Sequence, residues 1–163
     1  METLATMVGQ ALTRAQSYAD EHARALVLHS ALHPTDRVDA VGAAYGVFYE
    51  PSDVVHGLGG DWYDVMPLAG ELTYFSVGDI VGHGLTAVED MAQLRTAGRA
   101  FANQGLAPAQ ILTELNGFAD RVSRGEFATT VVAVLDPGAG SLSYGTAGHP
   151  TPVLRRAGGE VIL

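Results

Sequence analysis

The chain has 163 residues, 47% hydrophobic and 17% charged, which suits one folded domain with a substantial core. It contains no cysteine, and all nine of its basic residues are arginine, so disulfides, thiolate nucleophiles, Cys-ligated zinc and phosphate-gripping or Schiff-base lysines are excluded. A formal net charge of −9 leaves no basic stripe for nucleic acid and suits a cation better.

In chain order, residues 2–31 carry good helix formers with no proline, and Leu4, Val8, Ala11, Leu12, Ala15, Tyr18 and Ala19 recur at a helical spacing that His33-Pro34 ends. Ala43 to Tyr49 reads as a strand, and Pro51 to Gly60 as a loop. Two short strands follow, Asp61 to Met66 and Leu72 to Val77, joined by Pro67-Leu68-Ala69-Gly70 as a hairpin. Leu85 to Asn103 should be a helix closed by Gly105, with Glu89 and Asp90 early and Arg95 and Arg99 late, the order the helix dipole favours. A second helix begins near Pro108 and runs to about Val122, with Ile111, Leu112, Leu115 and Phe118 on one face. Phe127 to Leu135 is a buried strand, Asp136 to Gly140 a turn, and Ser141 to Thr146 its partner. A last hairpin pairs Val153 to Arg156 with Glu160 to Leu163 around Gly158-Gly159. Strands, two helices and antiparallel strands again give an α+β fold with helices packed on sheet.

No apolar run approaches the roughly 20 residues needed to cross a bilayer. The N-terminus lacks the basic and apolar regions of a secretory signal. A cytoplasmic protein is therefore expected, with neither membrane nor nucleic acid as partner.

The chemistry gathers around two aspartates. Asp61 follows Gly59-Gly60 at the start of one hairpin strand, and Asp79 follows the end of the other, within VGDIVGHGL at 77–85. An antiparallel hairpin places both carboxylates at the same end of the sheet. Two anions held close repel, so one takes up a proton or a cation shares them. Hard oxygen donors select Mg²⁺ or Mn²⁺, and two such ions about 4 Å apart turn a bridging water into a nucleophile toward phosphorus. The glycines around both aspartates then read as backbone that lets carbonyls and water approach the ions. Asp64 lies three residues beyond Asp61, on the opposite face of a strand, and reads as a group that supports the ligands or the structure rather than as a ligand itself. His83 reads equally as a loop or helix-entry residue, and His149, in AGHP, as a turn histidine. Aspartate beside glycine is also ordinary turn chemistry.

GGDWYDV at 59–65, VGDIVGHGLTA at 77–87, MAQLR at 91–95, FATTVVAVLD at 127–136 and YGTAGHPTPVL at 144–154 together resemble the metal-dependent PPM (protein phosphatase 2C-like) serine/threonine phosphatases. Within them the nearest branch is that of the bacterial sporulation stage II and sigma-factor-regulating enzymes. The likeness covers about residues 24–163, which implies an N-terminal helix and lead-in over 1–34 and a phosphatase domain over 35–163. It implies an αββα sandwich holding two Mn²⁺ or Mg²⁺ ions between its sheets. Asp61 matches the aspartate of the Gly-Gly-Asp motif, Asp79 the metal-bridging aspartate of the Val-Gly-Asp motif, and Ile80 the backbone-carbonyl ligand after it. His83 takes the place of a general acid, at a spacing from Asp79 that differs from the eukaryotic pattern. The implied substrate is phosphoserine or phosphothreonine on a small anti-anti-sigma (STAS-like) protein, attacked by a metal-bridging water. The two helices at 85–103 and 108–122 match a pair that transmits regulatory signals to the metals.

Family members continue into a Thr-Asp-Gly motif and a further terminal aspartate, both metal ligands, which lie beyond Leu163. The expectation is thus a sandwich lacking its C-terminal strands. It leaves an alternative function, a non-catalytic module with an incomplete metal site that binds a partner or a second copy of itself. The apolar face of the N-terminal helix, which needs cover, points to a homodimer or to signal input.

Overall fold

The computed structural model describes residues 4–32, 40, 42–49, 60–82, 84–122 and 127–162. Its order is α1 (Leu4–Leu32), β1 (Trp62–Pro67), β2 (Thr73–Ile80), α2 (Leu85–Asn103), α3 (Pro108–Val122), β3 (Ala128–Asp136), β4 (Ser141–Ala147), β5 (Leu154–Arg155) and β6 (Val161–Ile162). Strands β1-β2-β3-β4 form one antiparallel sheet in that order, and β5-β6 a separate two-stranded ribbon.

The two-residue alternation of β2 sorts the sheet into two faces. Tyr74 and Ile80 point toward the helices and join a core with Trp62 of β1, Val132 of β3, Val88, Met91 and Leu94 of α2, and Ile111 and Leu115 of α3. On α2 the buried positions 87, 88, 91, 94, 95, 98 and 102 trace one stripe, the pattern of a helix lying on a sheet. The helix starts without a side-chain cap, Val88 N–H donating to the Gly84 carbonyl at 3.2 Å. It ends where Gly105, at φ 78°, donates to the Ala102 carbonyl at 2.9 Å. In front of α3, the Ala107 N–H donates to Gln110 Oε1 at 3.0 Å, half of a capping box, and Pro108 occupies the first turn.

Two expectations fail. Ala43 to Tyr49 forms no strand; its aromatics instead meet the sheet side-on. Tyr45 stands edge-on to Phe75 with centroids 6.0 Å apart, and Tyr49 tilts against Tyr63 at 6.2 Å. The residue types favour extended backbone, but a ladder also needs a neighbouring strand, and none among the described residues pairs with this segment. Nor do Arg95 and Arg99 serve the C-terminal end of the α2 dipole: its last turn holds no basic residue and its first no acidic one. Both arginines sit in mid-helix, facing the carboxylate of Asp64.

That carboxylate is buried beneath β1, with Arg95 Nη2 3.2 Å from Oδ1 and Arg99 Nε 3.5 Å from Oδ2. The reading of Asp64 as a structural group on the face opposite Asp61 therefore stands. Among the described residues, helices cover one side of the four-stranded sheet. The fold is α+β, an incomplete αββα sandwich: among the described residues one helical layer lies on the four-stranded sheet, whose other face carries Phe75, Val77, Val131, Ala133 and Leu142 over a cavity of about 560 Å³.

Candidate active site

Asp61 immediately precedes β1 and Asp79 lies one residue before the end of β2. Because Trp62 pairs with Gly78, the next step outward brings Asp61 opposite Asp79. The two side chains come within hydrogen-bonding reach. Partial burial, the Asp79 charge and that hydrogen bond push the Asp61 carboxyl above its ordinary value, while the positive charge of His149 pulls it back. A hydrogen bond between two carboxyl groups requires a proton on one of them, which is how the pair tolerates its proximity.

The glycines nearby have distinct reasons. A Cβ on Gly60 would lie 2.6 Å from the Ile80 carbonyl oxygen, so only glycine lets the chain entering Asp61 run against that carbonyl. Gly78 has a different task from the one expected of it: a Cβ there would lie 2.2 Å from the Trp62 ring, which crosses the strand on the helix side of the sheet. Close backbone approach near the carboxylates thus explains Gly60, whereas aromatic packing explains Gly78.

His149 joins the pair through three strands. Asp79 pairs with Thr129 across β2 and β3, and Thr129 Oγ1 lies 2.9 Å from His149 Nδ1. Thr146 Oγ1 donates to the His149 carbonyl at 2.6 Å, and a bridge between Thr130 and Gly148 ties the AGHP turn to the sheet. In the sequence His149 reads as a turn histidine, since nothing local links it to Asp61. The link appears only when β4 is hung on β3 and β3 on β2. His83 lies outside the described residues.

Among the described residues no group of three or more His, Asp or Glu side chains is arranged to hold an ion. The donors on offer are the two carboxylates and the Ile80 carbonyl beside Gly60. All are hard oxygens, and the proton-sharing of Asp61 and Asp79 marks a place where added positive charge relieves repulsion. The donor set therefore fits Mg²⁺ or Mn²⁺.

A helix-backed antiparallel sheet is the architecture of a PPM-type phosphatase domain, and here the carboxylate pair stands at one end of that sheet. Residues 69–163, more than half of the chain, match the family described as Stage II sporulation protein E (SpoIIE). That span includes Asp79, Ile80, His83 and His149, and Asp61 lies eight residues before its start. A crystal structure of the RsbU and RsbW domains of a Mycobacterium tuberculosis protein superposes with a TM-score of 0.59 at 39% identity. The match covers 64% of this chain and 29% of that one. The chain belongs to the SpoIIE family. No helix among the described residues is long and apolar enough to cross a membrane.

Proposed function

We propose that the protein hydrolyses phosphoserine or phosphothreonine on a small STAS-like anti-anti-sigma protein, with Mn²⁺ or Mg²⁺ as cofactor. The observation that carries this reading is the Asp61–Asp79 pair, two carboxyl groups in hydrogen-bonding reach at one end of the sheet. In this reading Asp61, Asp79 and the Ile80 carbonyl hold the cations, and residues 35–163 form the catalytic domain behind a lead-in at 1–34. When bound, such ions supply charge neutralisation at phosphoryl oxygens and a water of lowered pKa. The chain's own share is positional. Asp79 is held by its β3 pairing with Thr129, one residue beyond the last β1–β2 pair, Gly60 brings the Ile80 carbonyl beside Asp61, and the His149 imidazole stands near Asp61. His83, three residues beyond Ile80 in the sequence, is the proposed proton donor to the leaving serine or threonine oxygen.

Release of phosphate from a phosphoserine STAS peptide in Mn²⁺ tests the reading. Asp79→Asn should lower the rate at least about a hundredfold, the order lost when metal affinity is compromised; equal rates in the two proteins would overturn it. The family match and the neighbouring structure, which holds RsbU and RsbW domains of one protein, support a place in sigma-factor regulation.

A second reading, self-association, is favoured by α1. Leu4, Met7, Val8 and Leu12 are all at least half exposed and share a helical face. A homodimer through this face predicts a mass that doubles with concentration in light scattering, and Leu12→Glu should return it to the monomer.

A further inference from the structure

A cavity of about 380 Å³ lies between α2, α3 and the helix-facing side of the sheet, the side away from the Tyr45 and Tyr49 contacts. Its apolar walls include Trp62, Ile80, Leu94, Leu112 and Leu115. Against these walls stands Asp90 of α2, only 6% exposed, whose Oδ2 has no hydrogen-bond partner among the described residues. Asn116 and Asp120, on successive turns of α3, line the same space, and none of the described lining residues is basic.

A carboxylate oxygen taken out of water without a partner is costly, and the cost is recovered when a donor, above all a charged one, meets it. Among the described residues no such donor stands here. The cavity is also of the size and character of small-molecule sites, mostly apolar with a few polar groups that fix orientation. A bare metal ion would leave those apolar walls unused. An organic anion would meet two aspartates. What complements both features is a cationic nitrogen on an apolar body.

We infer that this interhelical cavity is a binding site for a small amphipathic amine, its ammonium group on Asp90 with Asp120 and Asn116 nearby, its hydrocarbon part against Trp62 and the leucines. The site is separate from the carboxylate pair, although Trp62 and Ile80 are chain neighbours of Asp61 and Asp79.

Trp62 is the chain's single tryptophan, so its fluorescence reports on this wall. The full chain is titrated at pH 7 with 2-phenylethylamine, with its neutral analogue 2-phenylethanol and with the anion 3-phenylpropionate. The amine should give a saturable Trp62 change at a Kd at least tenfold below that of the alcohol, and the anion none. Asp90→Asn should erase the preference of amine over alcohol while thermal melting shows it folded. Ala119→Phe, which places a ring in the space, should abolish both responses. Methyl NMR of the unaltered chain gives a reading independent of either variant: the amine should shift Leu94, Leu112 and Leu115. Equal affinity for amine and alcohol, a preference retained in Asp90→Asn, no saturable response, or methyl shifts confined elsewhere would each overturn the inference.

Discussion

Asp61 and Asp79 share a hydrogen bond across the ends of two neighbouring antiparallel strands, and partial burial, the Asp79 charge and that contact together raise the Asp61 carboxyl above its ordinary value of 3.8. The folded state therefore holds a proton more firmly than the unfolded chain does. Between 3.8 and the raised value it binds more protons, so this group's contribution to stability is lost as pH rises through that window. Without divalent cation, Asp61→Asn should melt above the unaltered protein at pH 7, with the difference closing toward pH 4. Mn²⁺ should raise the melting temperature of the unaltered protein at pH 7 and leave Asp61→Asn nearly unmoved. Calorimetric scans in EDTA and in Mn²⁺ across pH check both; an Asp61→Asn protein that melts lower at pH 7 in EDTA would contradict the repulsion.

Gly78 and Trp62 give a stability prediction on the other face of the same strands. The ring sits where a Cβ would be, and its Nε1 donates to Ser76 Oγ at 3.3 Å. Gly78→Ala must push the indole aside, at a cost of about 1–3 kcal/mol for overpacking. Urea unfolding followed by Trp62 fluorescence should show a lower midpoint with an unchanged slope, and a red-shifted native emission as the ring leaves its place.

The ion-pair cluster beneath β1 is expected to behave as a buried charge network. Asp64→Ala leaves Arg95 buried without that carboxylate and should cost about 3–5 kcal/mol. Asp64→Leu combined with Arg95→Met, which removes both charges, should recover most of the loss. Chemical denaturation of the single and double variants measures the coupling; strict additivity would show that the pair acts independently.

Those three sites differ in how far the sequence could disclose them. The hairpin that brings Asp61 to Asp79 was legible, because two short strand-like runs at 61–66 and 72–77, joined by Pro-Leu-Ala-Gly, read as adjacent antiparallel strands. Helices α2 and α3 were legible almost to the residue, from periodicity and from the Pro and Gly at their ends. The role of Gly78 was not, since a glycine beside an aspartate in a sheet reads as turn chemistry or ligand approach until the indole opposite it is placed. Arg95 and Arg99 sat at positions that local rules assign to the helix dipole, and only the packing of α2 on β1 redirects them to Asp64. Ala43 to Tyr49 had strand composition without a strand to pair with, and pairing is a long-range property that composition does not carry.

His149 shows the same limit and offers the sharpest test of the site. Its charge acts on Asp61 against the effects of burial and of Asp79, lowering the carboxyl that they raise. His149→Ala should therefore push Asp61 further up. The pH below which Mn²⁺ ceases to bind should move upward, because the proton competes with the cation for the same oxygens. Thr129→Val removes the 2.9 Å contact to Nδ1 but leaves the imidazole in the chain, so its shift should have the same sign and a smaller size. Mn²⁺ calorimetry at a series of pH values reads both variants directly. An acid limb that stays in place when His149 is removed would place the histidine outside the electrostatics of the carboxylate pair, and a larger shift in Thr129→Val than in His149→Ala would assign the effect to the β3 strand instead of to the imidazole.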